Sequence, residues 1–259
     1  MNRIGKLLNL PHIHLNNMFT IYLKEIKTFF SVLQGYIITG LFLLTTALFL
    51  WVIPGNWNIP ESGYAMLNGL FELAPWLFLF FVPAMTMRMF TDEYRTGTIE
   101  LIITRPVLPS RIVAGKYLAG LTLLFITLLP SLIWVFSVSA MALPAGNIDG
   151  GAILGSYIAL FLLGSSYVSI GVFGSSLTDN QVVAFLITLA LSFLAYSGFS
   201  LLGSAPGINA ITGYMEQLGI ESHYLSMSRG VIDSRDLLYF VSVNLFFLVA
   251  ANISLKRRK

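Results

Sequence analysis

Residues 88–116 read RMFTDEYRTGTIELIITRPVLPSRIVAGK and mix charged with apolar residues between two long apolar stretches. Within them, Ile99, Ile102 and Ile103 share one face of a helix. Gly97 permits a sharp bend or a close backbone approach, and the prolines that follow end the helical pattern. The sequence therefore predicts a short helix packed between two membrane spans. Its apolar face leaves two interpretations open: docking to a partner protein, or packing on the inner face of the bilayer.

Six apolar stretches surround this segment, and each is long enough to cross about 30 Å of hydrocarbon as a helix. They are Leu33–Ile53, Leu67–Met87, Ile112–Leu143, Ile153–Leu177, Val182–Leu202 and Leu237–Leu255. A membrane span must satisfy its own backbone hydrogen bonds, so we expect α-helix in every stretch. The third is longer than a span needs, which predicts a kink at Pro130 or an extension beyond the lipid. The expected fold class is an all-α integral membrane protein with six transmembrane helices.

The composition argues against a water-soluble enzyme. Of the 259 residues, 56% are apolar and only 10% are charged, whereas a soluble domain carries about 25% charged residues. Cysteine is absent, which removes disulfides, thiolate nucleophiles and cysteine metal sites. The nearest approach to a phosphate-binding loop is at Gly115-Lys116, but Ser110 replaces its first glycine and Tyr117 follows the lysine. We therefore expect no catalytic, cofactor or metal site in this chain, and we expect Lys116 to extend towards the inner headgroups.

Lysine and arginine residues are distributed unevenly between the two sides of the predicted bundle. If the spans alternate, thirteen of them lie on one side: Arg3, Lys6, Lys24, Lys27, Arg88, Arg95, Arg105, Arg111, Lys116, Lys256, Arg257, Arg258 and Lys259. The other side carries only Arg229 and Arg235. The positive-inside rule then places both termini, including the basic tail 256–259, in the cytoplasm.

Residues 1–32 precede the first span and include an amphipathic helical pattern. One face carries Leu15, Met18, Phe19, Tyr22, Ile26, Phe29 and Phe30, and it continues to Leu33. Such a helix would lie in the inner membrane interface with its aromatic residues at the acyl boundary. It is either an elbow that also touches a cytoplasmic partner or a passive anchor. We expect His12 and His14 in this arm, and His223 near the last span, to be surface residues.

The predicted outer side carries a candidate gate. Glu72 is the one acid inside a predicted span, and it faces either an external gate or the outer headgroups beside Trp76. Residues 204–236 are too polar to span the membrane and too apolar for a free loop. We expect short helices there that dip into the outer interface and form a gate or a lid, with Tyr224 among the gate residues.

Several stretches together resemble one family of membrane proteins. EYRTGTIELIITRPV at 93–107, followed by IVAGKYL at 112–118, resembles the segment between the second and third spans of ABC type-2 exporter permeases. The six spans, the inner termini and the interfacial helix match that family too. FELAPWLFLF (71–80), NIDGGAILGSYI (147–158) and SRGVIDSRDLLYF (228–240) resemble its gliding-motility branch, the GldF-type permeases.

The resemblance implies a permease domain over residues 33–255 in a bacterial inner membrane. A separate cytoplasmic ABC ATPase binds and hydrolyses ATP in such transporters, and a short coupling helix, here within 91–111, docks into it. By resemblance, the coupling residues are Asp92, Glu93, Arg95, Gly97, Thr98, Glu100 and Arg105. The turn of Thr178, Asp179 and Asn180 caps the fifth span, and Thr178 and Asp179 are a candidate second cytoplasmic contact.

The expected function is that of a non-catalytic permease subunit of an ATP-driven ABC type-2 transporter of the gliding-motility machinery. Its expected partners are the ATPase, the lipid bilayer, and a second permease copy or a related membrane subunit with a large external domain; no nucleic acid is expected. Two other functions stay open. One is an ion-coupled secondary carrier, and the other is a membrane anchor of an envelope complex that transports nothing.

Overall fold

The structure is a computed structural model that describes residues 11–99, 108–144, 146–203, 217–230 and 232–257, with the backbone alone for 11–17. The regular secondary structure of these residues is helical throughout. Six of the helices are long and apolar enough to cross a membrane. The predicted all-α class and the six spans are therefore confirmed.

The helices follow one another in a simple order. They are α1 Pro11–Ser31, α2 Gln34–Val52, α3 Ile59–Ser62, α4 Asn68–Arg95, α5 Pro109–Met141, α6 Gly150–Leu177, α7 Gln181–Gly203, α8 Ile220–Met227 and α9 Ser234–Arg257. The spans are α2, α4, α5, α6, α7 and α9. The α5 helix is 33 residues long and tightens into a 3₁₀ turn at Leu129–Ser131, the position at which the sequence predicted a kink. The α4 helix is interrupted once, by a turn at Met87.

The α6 helix is the centre of the bundle and packs against α4, α5, α7 and α9. Small residues on α6 allow this close packing. A side chain added at Gly171 would collide with Thr86 of α4, and one added at Gly174 would collide with Thr188 of α7. Interfaces of this kind bring helix backbones close together, which is how membrane helices gain packing energy in the absence of water.

The amphipathic helix predicted before the first span is α1, and it packs against α5. The Tyr22 and Thr122 hydroxyls lie 3.1 Å apart across this contact. Gly115 of α5 faces the backbone of Met18, so the two helices approach closely. Phe19, by contrast, is 57% exposed. The apolar face of α1 is therefore shared between the protein and its surroundings, whereas the sequence predicted that it would face lipid.

Polar contacts define the two ends of the bundle. At the first end, the backbone oxygen of Ser176 in α6 accepts hydrogen bonds from Tyr94 of α4 at 3.3 Å and from Ser254 of α9 at 3.1 Å. We call this the inner end, after the charge distribution of the sequence. At the other, outer end, Trp57 Nε1 donates to the Glu72 carboxylate at 3.0 Å.

Candidate functional site

One exposed feature of the described part of the inner end is a turn that follows α4, and we call residues 95–98 the inner turn. All four of its residues are exposed. Gly97 has φ +70°, a left-handed conformation that suits glycine at a helix C-terminus, and the space beside its Cα is open. Thr96 donates to the backbone oxygen of Asp92 at 2.7 Å, which supports the last turn of the helix. The sharp bend predicted at Gly97 is present.

Beneath the inner turn lies an ionic cluster of Lys24, Glu25, Glu93 and Lys116, contributed by α1, α4 and α5. Glu93 Oε1 is 2.6 Å from Nζ of Lys24 and 3.0 Å from Nζ of Lys116. Lys116 also lies 2.7 Å from Oε1 of Glu25 and donates to the backbone oxygen of Met89. Two acids and two bases thus meet where three helices come together.

The Lys116 side chain has no solvent-exposed surface, so the prediction that it extends to the headgroups is wrong. Its ammonium group lies 4.8 Å from the centre of the Phe90 ring, within the range of a cation–π contact. A buried charge is costly unless it is paired and hydrogen-bonded. Glu25 and Glu93 provide that pairing, which explains why an ammonium group is stable inside the bundle.

Glu93 is only 4% exposed and lies in this cluster below the surface. Its second oxygen, Oε2, is also buried and has no hydrogen-bond partner among the described residues. Its neighbours differ: Asp92 is half-buried, while Arg95 and Thr98 are exposed. The predicted coupling residues therefore divide into an exposed turn and a buried anchor. Glu100 and Arg105 lie outside the described residues.

The two predicted cytoplasmic contacts are adjacent. Gln181 Nε2, at the start of α7, donates to Oδ1 of Asp92 in α4 at 2.5 Å. Just before it, the Asn180 side chain accepts from the backbone N–H groups of residues 182 and 183, so the predicted cap is confirmed. Thr178 is half-buried and Asp179 is exposed. The α6–α7 turn and the end of α4 therefore form one continuous inner surface.

Lys24 and Glu25 are members of the cluster that sequence reasoning missed as site residues. The available signal was weak: an adjacent acid and base on a helix whose other face is apolar. Their pairing with Glu93 and Lys116 depends on α1 packing against α5, which is a long-range contact. Charge patterning along one segment cannot reveal such a pairing.

At the outer end, Glu72 and Tyr224 line one cleft of about 380 Å³, together with Asp149 and Arg229. Glu72 is exposed and bonded to Trp57. Tyr224 is buried, and this burial raises its pKa well above the usual range, so its hydroxyl stays a hydrogen-bond donor. The two candidate gate residues are thus close together, on α4 and α8.

The Tyr224 hydroxyl donates to the backbone oxygen of Phe71 at 2.5 Å. Phe71 lies four residues before Pro75 in α4, and proline has no N–H to bond that carbonyl. Tyr224 therefore supplies the hydrogen bond that Pro75 removes. This pairing attaches α8 to the second span.

His223, the neighbour of Tyr224, is not a free surface residue as the sequence predicted. Its side chain is only 18% exposed and lies 2.7 Å from the carboxylate of Asp236. Across the described ranges, no group of three or more histidine and acidic residues is arranged to hold a metal ion.

The chain matches one protein-family model. Residues 58–220, which make up more than half of the chain, match the family model described as ABC-2 family transporter protein. The matched range contains the inner turn, the α6–α7 turn and Lys116. No curated protein matches the chain.

Proposed function

Because the chain belongs to the ABC-2 family of transporter proteins as a multi-pass permease subunit, we propose that a separate ATPase drives it through the inner turn. Membership of this family implies an ATPase partner, and permeases of the family are generally non-catalytic membrane subunits. The proposal concerns the surface on which that partner acts. It assigns the contact to Arg95, Gly97 and Thr98, with the α6–α7 turn beside them.

One observation carries this assignment: an exposed turn directly above a largely buried ionic cluster of two acids and two bases. A docking surface needs accessible groups, and residues 95–98 are exposed. It also needs a rigid support, because a force applied to a loosely held loop would deform the loop alone. Glu93 supplies that support through its two ammonium partners, Lys24 and Lys116. Among the coupling residues, we therefore assign Arg95 to contact with the ATPase and Glu93 to transmission of the resulting movement into the bundle.

The contacts of the inner end define the route of transmission. From Glu93 of α4, ion pairs lead to α1 and α5. From Asp92, a hydrogen bond leads to α7, and from Tyr94 another leads to the end of α6. A displacement of the inner turn would therefore move four neighbouring helices. Discrete packed arrangements of such helices convert a small local shift into a larger rearrangement.

We further propose that the transporter belongs to the gliding-motility machinery of a bacterial inner membrane, with both termini in the cytoplasm. The supporting observations are the three motif stretches at 71–80, 147–158 and 228–240 and the distribution of lysine and arginine. In this assembly the chain pairs with a second copy or with a related membrane subunit that has a large external domain. Purification from native membranes tests this: an ATPase alone, with no such subunit, would contradict the gliding assignment.

Charge reversal at the inner turn tests the coupling assignment. We expect Arg95→Glu to lower ATPase retention on the purified permease about tenfold, which corresponds to 1.4 kcal/mol. Lys27→Glu is the matched control, because Lys27 is exposed on α1 and the charge change is identical. Both variants should insert normally into membranes. Equal ATPase retention by the Arg95 variant and the control would overturn the assignment.

The ion-coupled carrier gains no support from Glu72. This acid is exposed, lines the outer cleft and is bonded to Trp57, so it lies at one end of the bundle, whereas carriers bind their coupling ion near the middle of the membrane. The purified chain alone should therefore show no transport driven by a proton or sodium gradient.

A further inference from the structure

His223 of α8 lies between two hydrogen-bond acceptors at the outer end. Its Nδ1 is 2.7 Å from Oδ1 of Asp236 in α9, and its Nε2 is 2.9 Å from the backbone oxygen of Gln217. The imidazole stacks on Tyr239, with the ring centres 3.8 Å apart. Asp236 is only 6% exposed, and its Oδ2 has no hydrogen-bond partner among the described residues.

The protons of this arrangement can be counted. A backbone oxygen and an ionised carboxylate only accept hydrogen bonds, and a neutral imidazole has one N–H and one lone pair. Neutral His223 can therefore satisfy either Asp236 or Gln217, but not both. Both contacts form only when one additional proton is present, either on the imidazole or on the Asp236 carboxyl group.

We propose that His223 and Asp236 form a proton-operated latch that holds the segment at Gln217, which precedes α8, against His223. The latch is closed when the pair holds the additional proton. When that proton passes to water, the remaining N–H donates to the Asp236 carboxylate, because charge-assisted hydrogen bonds are the stronger ones. The Gln217 oxygen then loses its donor. This inference does not depend on the assignment of the ATPase contact.

The elements around α8 carry other charged or titratable groups. They are Asp233, Arg235 and Tyr239 in or before α9, Glu221, Tyr224 and Arg229 in or after α8, Tyr196 on α7, Asp149, Tyr157 and Tyr167 on or before α6, and Glu72 on α4. Glu221 accepts from Ser200 of α7 at 2.5 Å, and Asp149 caps α6. The hydrogen bonds, ion pair and ring stack of His223 involve Asp236, Gln217 and Tyr239. The latch therefore consists of these four residues.

The consequence concerns the segment that leads into α8, a helix of the outer cleft. The α8 helix contributes Tyr224 and Leu225 to the wall of that cleft, and Tyr224 is bonded to α4. Histidine is the side chain whose charge changes between about pH 5 and 8. Acid on the outer side therefore holds the segment of residues 217–218 against His223, and neutral or alkaline conditions loosen that segment, while the hydrogen bond to Asp236 keeps α8 on α9 in both states. Tyr239, which donates to the Leu218 backbone oxygen at 2.6 Å, keeps the loosened segment attached.

A spin label reports the state of the latch directly. Because the chain contains no cysteine, Leu218→Cys gives a single labelling site, and Leu218 is 55% exposed. In proteoliposomes of the full chain, we expect the mobile fraction of the nitroxide to rise about fivefold from about pH 5.5 to 8.5, the factor for one ordinary hydrogen bond. A label at Tyr64→Cys, on an exposed outer loop, is the control and should show no such change.

Two variants separate the latch from a general effect of pH. His223→Phe keeps an aromatic ring on Tyr239 without any titratable group, so the label should be mobile at both pH values. Asp236→Asn presents an amide N–H to Nδ1, which leaves Nε2–H of the neutral imidazole free to donate to Gln217. The label should then be immobile at both pH values. An unchanged label in the parent chain, or a parent-like pH response in Asp236→Asn, would overturn the proposal.

Discussion

Nζ of Lys116 lies 3.0 Å from Oε1 of Glu93, and this buried ion pair joins the third span to the segment that precedes the inner turn. The lysine has no exposed surface, and the glutamate is 4% exposed. A charge buried here must retain its partners, because burial has removed its contact with water. The ion pair therefore attaches two helices to each other, and substitution of either residue should destabilise the fold.

Lys116→Met should be strongly destabilising, because it leaves Glu25 and Glu93 without their shared ammonium group. Loss of one partner of a buried ion pair costs about 3–5 kcal/mol. Lys24→Met is the matched comparison. Because the Lys24 side chain is 51% exposed, its loss should cost about 1 kcal/mol or less. Thermal unfolding of the purified chain in detergent measures both, and equal shifts in Tm would contradict the buried cluster.

The same cluster should show non-additive effects. Glu25→Gln combined with Lys116→Met should be less destabilised than Lys116→Met alone, because the double variant removes a carboxylate whose remaining partner, Lys24, is 3.9 Å away, while Glu93 keeps Lys24 at 2.6 Å. Interaction energies of about 0.5–3 kcal/mol are typical of residues in one such network. Additive losses of unfolding free energy in the double variant would show that Glu25 and Lys116 do not interact.

Apolar length and local chemistry made much of this architecture predictable. The six spans follow from apolar stretches of about 20 residues each, which is the length that crosses a bilayer as a helix. The Asn180 cap and the bend at Gly97 follow from residue type alone. The position of Lys116 did not follow. Its exposure depends on α1 lying against α5, and the sequence of α5 by itself is equally compatible with a lysine that reaches the headgroups.

The outer end shows the same limit. Glu72 and Tyr224 were predictable as gate candidates because an acid and a tyrosine lie in segments near the outer surface. The contact between His223 and Asp236 was not, because α8 and the start of α9 are joined by a connection whose bend cannot be read from hydropathy. A histidine in a polar segment is ordinarily a surface residue, and here only the fold places a buried acid beside it.

Gly97 should be needed for its backbone conformation. At φ +70° a residue with a Cβ costs about 1–2 kcal/mol, although asparagine visits this region more readily. The space beside Gly97 is open, so no collision complicates the comparison. We expect Gly97→Val to weaken ATPase retention more than Gly97→Asn does, as measured by co-purification. The reverse order would indicate that the side chain, and not the backbone, matters at this position.

The hydrogen bond from Tyr224 to Phe71 offers a sharper test, because its strength should depend on Pro75. Tyr224→Phe leaves the Phe71 carbonyl without a donor, and a buried unsatisfied carbonyl costs about 1–3 kcal/mol. In a Pro75→Ala background, the new N–H can bond that carbonyl within the helix. Removal of the hydroxyl should then be nearly neutral.

Unfolding free energies of the four proteins of this cycle measure the dependence. Pro75→Ala alone should leave the chain folded, because a helix interior accepts alanine well. The decisive quantity is the loss of unfolding free energy that Tyr224→Phe causes in each background. If that cost is the same with Pro75 and with alanine, the tyrosine does not compensate for the proline, and α8 is held to α4 by packing rather than by this hydrogen bond.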